Sequence, residues 1–159
     1  FKKKNYFNKI GLSIYDTNCL NYITSNYDFD VVQCPYNILD KRILITGWFD
    51  KLKKLDIETH VRSIFLQGLL VSKSVHQKKY FKKWEKKISE WFLSLHNNNI
   101  SPINYCLNDL LSCDFDKVII GVNNYDNLNE IINFRKINNK KVLELKISDL
   151  KLIDPRKWK

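Results

Sequence analysis

The amino-acid sequence predicts an α/β fold in which short parallel strands alternate with helices. The first sign is a set of four apolar runs, each four to six residues long, that end on polar or turn-forming residues. The second is that stretches with apolar residues at every third or fourth position, the spacing of a helix, follow most of these runs. Strands that are joined through helices pair in parallel, so this order predicts a parallel sheet with helical crossovers.

The predicted elements follow one another in a regular order. Pro35 closes the second strand, because proline has no backbone N–H with which to continue the sheet. The helix after it has an apolar stripe through Leu44, Trp48, Leu52 and Leu55. The predicted strands are residues 9–14, 30–34, 57–62 and 118–121, and the predicted crossover helices are residues 17–27, 40–55 and 125–134.

A longer segment, residues 72–112, separates the third and fourth strands and predicts a helical insertion. Residues 77–95 form a strongly amphipathic helix, with Phe81, Trp84, Ile88, Trp91 and Leu95 on one face. Its lysine-rich face is either solvated or, as an alternative, bound to a membrane surface. The sequence also predicts a short helix from Pro102 to Leu111 and a terminal helix with an apolar end within residues 143–158.

Four β/α units are half of the eight that close a (β/α)8 TIM barrel, a fold that typically takes about 250 residues. Left open, four units would expose two sheet edges and an apolar interior. We therefore expect the fold to need a partner made of the missing units. The sequence has no methionine and begins on Phe1, so we expect it to be a piece whose front is missing.

The formal net charge is +10, with lysines spread over the whole length. Two explanations stay open: an A/T-rich genome, which favours Lys, Asn, Ile, Tyr and Phe, or attraction to the phosphates of a nucleotide or nucleic acid. No RRM, zinc-finger or helix-turn-helix signature supports nucleic-acid binding. We therefore expect no nucleic-acid partner.

The four cysteines, Cys19, Cys34, Cys106 and Cys113, show neither C-x-x-C spacing nor a histidine at metal-ligand spacing. The first residues lack the apolar segment and cleavage site of a signal peptide. No run reaches the roughly 18 apolar residues of a membrane helix. The sequence therefore predicts a cytoplasmic protein with reduced thiols, no metal site and no membrane partner.

Polar residues and a glycine stand where the predicted strands end. Parallel α/β folds build their ligand sites at the carboxyl ends of the strands. Any one of these residues could be a loop or capping residue, but the repeat at all four strands favours a shared polar rim around one ligand. The residues are Ser13, Gln33, Arg62 with Ser63, and Gly121 with Asn123 and Asn124.

Five segments of the chain resemble a known family. They are IGLSIYD (10–16), DVVQCPYNILDKR (30–42), IETHVRSIFLQGLL (57–70), VIIGVNNYDNLNEII (118–132) and LIDPRKW (152–158). In order and spacing they are similar to strands five to eight of the aldo/keto reductases, NAD(P)H-dependent enzymes with a (β/α)8 barrel. The resemblance covers nearly the whole chain. It implies that residues 1–159 are the C-terminal half of a single barrel domain, within which residues 72–112 are the insertion.

The resemblance also implies roles at the nicotinamide end of a bound cofactor. Ser13 and Gln33 match residues that hydrogen-bond the nicotinamide carboxamide, and Ile14 stands where a second such residue is common. Arg62 stands where many members have an aromatic residue that stacks on the nicotinamide; a guanidinium plane could stack there too. The remaining matches are to the segment that folds over the pyrophosphate: Ser63, Phe65, Gln67 and Gly68.

The segment after the fourth strand matches the adenosine end of the cofactor site. Gly121, Asn123 and Asn124 would meet the ribose or its 2′-phosphate at a helix N-terminus, which suits anions. Asn127 matches a residue that contacts the adenosine, and Glu130 an acid near the adenine. Because no Lys or Arg directly follows the strand, NADP is only mildly preferred over NAD.

No catalytic residue is assigned to this chain. The family's Asp, Tyr, Lys and His tetrad lies on strands two to four, which the resemblance places outside it. We do not expect Tyr15, Tyr36 or His60 to replace these residues, and we expect His60 to be packed on the same side of its strand as Arg62.

Three functions remain as hypotheses. The first is a reductase of an aldehyde or ketone substrate, with this chain as the cofactor-binding half and the N-terminal half of the barrel as its partner. The second is a catalytically inactive half-barrel that binds a nucleotide or a partner chain. The third, independent of the fold, is a basic nucleic-acid-binding module.

Overall fold

The computed structural model describes residues 6–137 and 142–158, and its central feature is a four-stranded parallel sheet. The strands lie in chain order, and each pairs in parallel with the next. The predicted α/β class and parallel pairing are therefore confirmed. Three strands are shorter than predicted, whereas β2 keeps its predicted length of five residues and lies one residue later along the chain. The strands are β1 Gly11–Ser13, β2 Val31–Pro35, β3 Glu58–Arg62 and β4 Lys117–Val118.

The described residues fall into two compact units. The first unit contains the sheet and is built from residues within 1–36, 41–62 and 115–120. The second unit is mainly helical and is built from residues within 37–40, 63–114 and 121–159. Each unit is discontinuous along the chain, because the chain leaves the first unit after β2 and again after β3 and β4.

In the first unit, the two faces of the sheet differ in character. Alternate residues of β2 and β3 are fully buried, among them Val32, Thr59 and Val61, and α3 (Trp48–Lys54) packs against β3. The residues between them are only half-buried. Side chains alternate between the faces of a strand, so one face carries the core of this unit and the other remains open and polar.

The helix predicted over residues 40–55 is in fact two helices, α2 (Arg42–Ile45) and α3. Gly47 lies between them with a φ of 72°, a left-handed conformation that cannot continue a right-handed helix. The residues on either side, Ile43 and Leu52, are both buried. The helical spacing of apolar residues continues across the break, so the sequence predicted one helix where the structure has two. The helix predicted over residues 17–27 is α1 (Leu20–Asn26).

The second unit contains five helices among the residues the structure describes. The predicted amphipathic helix begins later than expected, at Glu85, after a 3₁₀ turn at Lys79–Phe81. The predicted short helix from Pro102 is confirmed, and Ser101 caps it by accepting a 3.0 Å hydrogen bond from the Asn104 N–H. The helices are α4 Lys73–His76, α5 Glu85–Asn97, α6 Pro102–Leu110, α7 Tyr125–Ile132 and α8 Leu150–Ile153.

The terminal helix is much shorter than predicted. Only α8 and a 3₁₀ turn at Pro155–Lys157 are helical within residues 143–158. The segment is fixed instead by tertiary contacts, because the Trp158 ring packs edge-on against Phe81 at 4.7 Å between ring centroids. Tyr80 donates a 2.7 Å hydrogen bond to the Lys151 carbonyl oxygen. Among the helices described here, none is both long enough and apolar enough to cross a membrane.

Candidate functional site

The structure brings Ser13 and Gln33 side by side in the first unit. Ser13 ends β1 and lies in register with Gln33 of β2, and the Ile14 N–H donates a 2.9 Å hydrogen bond to the Gln33 carbonyl oxygen. Paired residues of parallel strands point to the same face, so the Ser13 hydroxyl and the Gln33 amide share the open face of the sheet. Ser13 is exposed and Gln33 half-buried, which leaves both groups accessible to a ligand.

Gly11 permits this close pairing. A Cβ atom at residue 11 would lie 2.5 Å from the Val31 carbonyl oxygen and 2.7 Å from the Val31 Cβ. Such distances are too short for any side chain, so only glycine lets β1 approach β2 here. The position of Ser13 therefore depends on a glycine two residues before it.

His60 and Glu58 of β3 continue the polar face. His60 pairs with Gln33, and its Nε2 lies 3.1 Å from a Glu58 carboxylate oxygen. The Lys9 ammonium also donates to Glu58. The Lys9 hydrogen bond first, and the His60 contact second, hold the pKa of Glu58 below its usual value. His60 lies on the side of the strand expected for it, next to this ion pair.

Arg62 lies over Tyr15 and not over open space. Its guanidinium carbon is 4.7 Å from the centre of the Tyr15 ring, and its Nη2 donates a 3.1 Å hydrogen bond to the Ile14 carbonyl oxygen. Arg62 is in register with Pro35, so its side chain crosses the end of β2 to reach the residues after β1. No pattern in the sequence predicts this contact, and its one local sign is an aromatic residue, Tyr15, two positions after the end of β1.

In the second unit, the loop after β3 has an unusual backbone. Ser63, Leu66 and Gln67 have φ values of 63°, 44° and 52°, and Gly68 has 85°. Left-handed conformations cost about 1–2 kcal/mol for residues other than glycine. Such strain persists where the surroundings impose it, and it clusters at ligand sites.

Buried side chains impose this loop conformation. Leu66, Leu69 and Leu70 are buried, while Gln67 is exposed and Phe65 half-buried. The buried Asn37 donates a 3.2 Å hydrogen bond from Nδ2 to the Ser63 carbonyl oxygen. The contact joins residues 26 positions apart, so no local sequence pattern indicates that Asn37 fixes the loop.

The residues after β4 lead into α7. Gly121, Asn123 and Asn124 are exposed, and the Asn124 side chain caps the helix by accepting a 2.8 Å hydrogen bond from the Asn127 N–H. The predicted helix N-terminus is therefore present. Its first turn carries the acidic Asp126, however, which opposes the attraction of the helix dipole for an anion.

Glu130, the residue expected near the adenine, has a partner within the protein. Its carboxylate accepts a hydrogen bond from the Ser101 hydroxyl, the same group that caps α6. Glu130 thus joins α6 to α7 in the second unit. The side chain of Asn127 is half-buried on the same helix.

A buried tyrosine and a half-buried lysine in the first unit resemble a proton-donating pair but cannot act as one. The Lys41 ammonium donates a 2.7 Å hydrogen bond to the Tyr36 hydroxyl oxygen. Tyr36 is only 1% exposed, and its ring packs against Phe115 at 4.8 Å. A general acid must reach the substrate, so Tyr36 has a structural role.

Within residues 6–137 and 142–158, no group of three or more His, Cys, Asp or Glu side chains is arranged so that it could hold a metal ion.

Comparison with known proteins agrees with this architecture. A sequence model of the aldo/keto reductase family matches residues 6–150. The structure is similar to the holo form of aldo-keto reductase AKR11C1 from Bacillus halodurans, with a TM-score of 0.71 and 16% identity over 98% of this chain. It is also similar to the glycerol dehydrogenase AKR11B4 from Gluconobacter oxydans, with a TM-score of 0.51 and 12% identity over 89% of this chain.

Both similarities are at the level of the fold, and no curated protein matches the sequence. The chain spans 55% of the length of each of these solved chains. Its parallel α/β fold is thus that of part of a TIM barrel. Because the family match extends over nearly all of the sequence, the chain belongs to the aldo/keto reductase family.

Proposed function

We propose that this chain is the C-terminal, cofactor-binding half of a reductase that converts an aldehyde or ketone to an alcohol with NADPH or NADH. The observation that carries the proposal is the pairing of Ser13 with Gln33 on the open face of the sheet. A carboxamide has both donors and an acceptor, and a hydroxyl beside an amide can satisfy both kinds of group.

The residues of the first unit fit the nicotinamide end of the cofactor. When bound, the reduced cofactor supplies a hydride to the carbonyl carbon, and the carbonyl oxygen takes up a proton from a general acid. Ser13 and Gln33 hold the carboxamide and so fix the orientation of the ring. Orientation matters because hydride transfer requires the reacting atoms to be held close together.

Taken by themselves, the residues of the second unit suit the other parts of a dinucleotide less uniformly. The loop over residues 63–68 has left-handed backbone at Ser63, Leu66 and Gln67 and ends on Gly68, which suits close approach of a pyrophosphate to the chain. Gly121, Asn123 and Asn124 lie at a capped helix N-terminus, suited to the ribose. Residues 118–134 contain Asp126 and Glu130 but no Lys or Arg, which weighs against tight binding of the 2′-phosphate of NADP. We therefore propose either NADP or NAD as the cofactor.

The proposal assigns the general acid to the N-terminal half of the barrel. Within the first unit, β1 and β4 are the two edges of the sheet, and Val118 and Ile119 at the β4 edge are exposed. Additional parallel strands on these edges would cover them. The match covers 55% of the solved Bacillus halodurans chain, and the remainder of a chain of that length could supply such strands.

A catalytically inactive half-barrel that binds a nucleotide remains the alternative. It is consistent with the burial of Tyr36, whose hydroxyl accepts a hydrogen bond from Lys41 and cannot reach a substrate. The two functions differ in turnover: a reductase oxidises NADPH or NADH when a carbonyl compound is added, whereas the alternative binds the nucleotide without consuming it.

The test is a titration of NADPH and NADH into the full-length protein, followed by calorimetry and by cofactor fluorescence. At least one cofactor should bind, and Ser13→Ala or Gln33→Ala should weaken it about three- to tenfold each, the usual effect of one lost hydrogen bond. Ser25→Ala, which alters an exposed serine on α1, is the matched control and should have no effect. If the protein binds neither cofactor, the proposal is wrong.

A further inference from the structure

Arg62 places a fixed positive charge beside the Ser13–Gln33 pair. Its guanidinium donates to the carbonyl oxygen of Ile14, at 3.1 Å, and Ile14 is the residue directly after Ser13. The N–H of Ile14 donates in turn to the carbonyl oxygen of Gln33, at 2.9 Å. These two hydrogen bonds at Ile14 thus link the guanidinium to the backbone of the two residues proposed to hold the carboxamide, Ser13 and Gln33.

Tyr15 keeps the guanidinium in this position. The charged group lies 4.7 Å from the ring centre, within the range of a cation–π interaction. The Tyr15 side chain is 46% exposed and Arg62 is half-buried, so the pair stands at the accessible end of the sheet. The aromatic face of Tyr15 is therefore used to hold a cation of the protein.

The two redox states of a nicotinamide respond differently to such a charge. The oxidised ring is a cation and the reduced ring is neutral, so a nearby positive charge disfavours the oxidised form. An exposed aromatic residue would have the opposite effect, because its π face attracts a cation. At an effective dielectric constant of about 20, one unit charge within about 10 Å changes the affinity of a cation about tenfold or more.

We propose that Arg62, held by Tyr15, makes this site bind the reduced dinucleotide in preference to the oxidised one. This inference rests on the proposed function and adds to it a preference for one redox form of the cofactor. The site favours the cofactor form that is consumed in carbonyl reduction, and it releases the oxidised product more readily.

The test compares dissociation constants for the reduced and oxidised forms of the same dinucleotide, measured by calorimetry at low ionic strength. The full-length protein should bind the reduced form at least about tenfold more tightly. Arg62→Gln, which removes the charge, should reduce this ratio to nearly one, mainly through tighter binding of the oxidised form. Arg62→Lys, which keeps a positive charge, should retain most of the preference.

Salt provides a second measurement that requires no variant. The preference of the unaltered protein should decrease as ionic strength rises, because mobile ions screen the charge. A ratio that is the same for the unaltered protein and Arg62→Gln, or one that does not change with salt, would overturn the inference. If neither form binds the unaltered protein, it is the proposed function that fails; if both bind with an unaltered ratio, only the role of Arg62 fails.

Discussion

Lys9 and Glu58 form an ion pair on the open face of the sheet, beside His60. Glu58 accepts from Lys9 and contacts His60. The pKa of Glu58 is lowered, chiefly by the hydrogen bond from Lys9, and the pKa of Lys9 is raised, chiefly by the same hydrogen bond. Both shifts mean that the charged pair is more stable in the folded protein than in the unfolded chain.

The sign of the pH dependence follows from these shifts. A glutamate whose folded pKa is depressed contributes stability above its ordinary pKa of about 4.3, and the contribution is lost as the pH falls through the lower folded value. We therefore predict that Lys9→Gln is less stable than the unaltered protein at neutral pH and that the difference closes on acidification below about pH 4. Urea unfolding at a series of pH values measures the difference.

The control for this experiment is Lys54→Gln, which changes an exposed lysine near the end of α3. Its effect on stability should be small and should vary little over the same range. A Lys9→Gln deficit that stays constant from neutral pH to pH 3 would show that the Lys9–Glu58 hydrogen bond does not stabilise the fold.

At the scale of elements, α5 shows how burial determines the contribution of a side chain. Leu93 and Leu95 lie two residues apart in the same helix, but Leu93 is 58% exposed and Leu95 is 1% exposed. Leu95→Ala should destabilise the protein by about 2–5 kcal/mol, because it removes buried contacts and leaves a cavity. Leu93→Ala, the matched control, should change the stability by no more than about 0.5 kcal/mol.

Denaturant unfolding of the two variants checks this prediction. Since both replace leucine with alanine in a helix, any effect of helix propensity is common to them. Equal losses of stability would show that the apolar face of α5 is not assigned correctly.

Local sequence patterns predicted some elements well and others poorly. The buried face of α5 follows from the spacing of Ile88, Trp91 and Leu95, because a regular helix repeats every 3.6 residues. The residues before α8 could not be predicted in this way. Leu143, for example, donates its N–H to the Ser94 hydroxyl, 49 residues earlier, so a distant contact and not local periodicity fixes that segment.

At the scale of the whole molecule, the order of the strands was predictable and their register was not. Alternating strands and helices predict a parallel sheet, and polar strand ends predict an accessible rim. The alignment of Ser13 with Gln33, however, depends on the close approach that Gly11 permits. The hydrogen bond from Ser101 to Glu130 joins residues 29 positions apart, and no local pattern indicates it.

The direction of the Arg62 side chain likewise could not be predicted from the sequence. Its position at the end of β3 follows from the sequence, but its direction does not. It crosses β2 to reach Tyr15 and Ile14, 47 and 48 residues earlier in the chain (62 − 15 and 62 − 14). A side chain with several rotatable bonds can take many directions, and only the tertiary structure selects one.

The central claim is that Ser13 and Gln33 together bind the nicotinamide end of a dinucleotide. The most direct measurement compares the affinities of the reduced dinucleotide and of the matching ADP-ribose, which lacks the nicotinamide, for the full-length protein and for Ser13→Ala/Gln33→Ala. We predict that the double variant binds the dinucleotide about tenfold or more weakly and binds ADP-ribose with an affinity within about twofold of the unaltered protein. Equal losses for both ligands, or no loss for either, would contradict the claim.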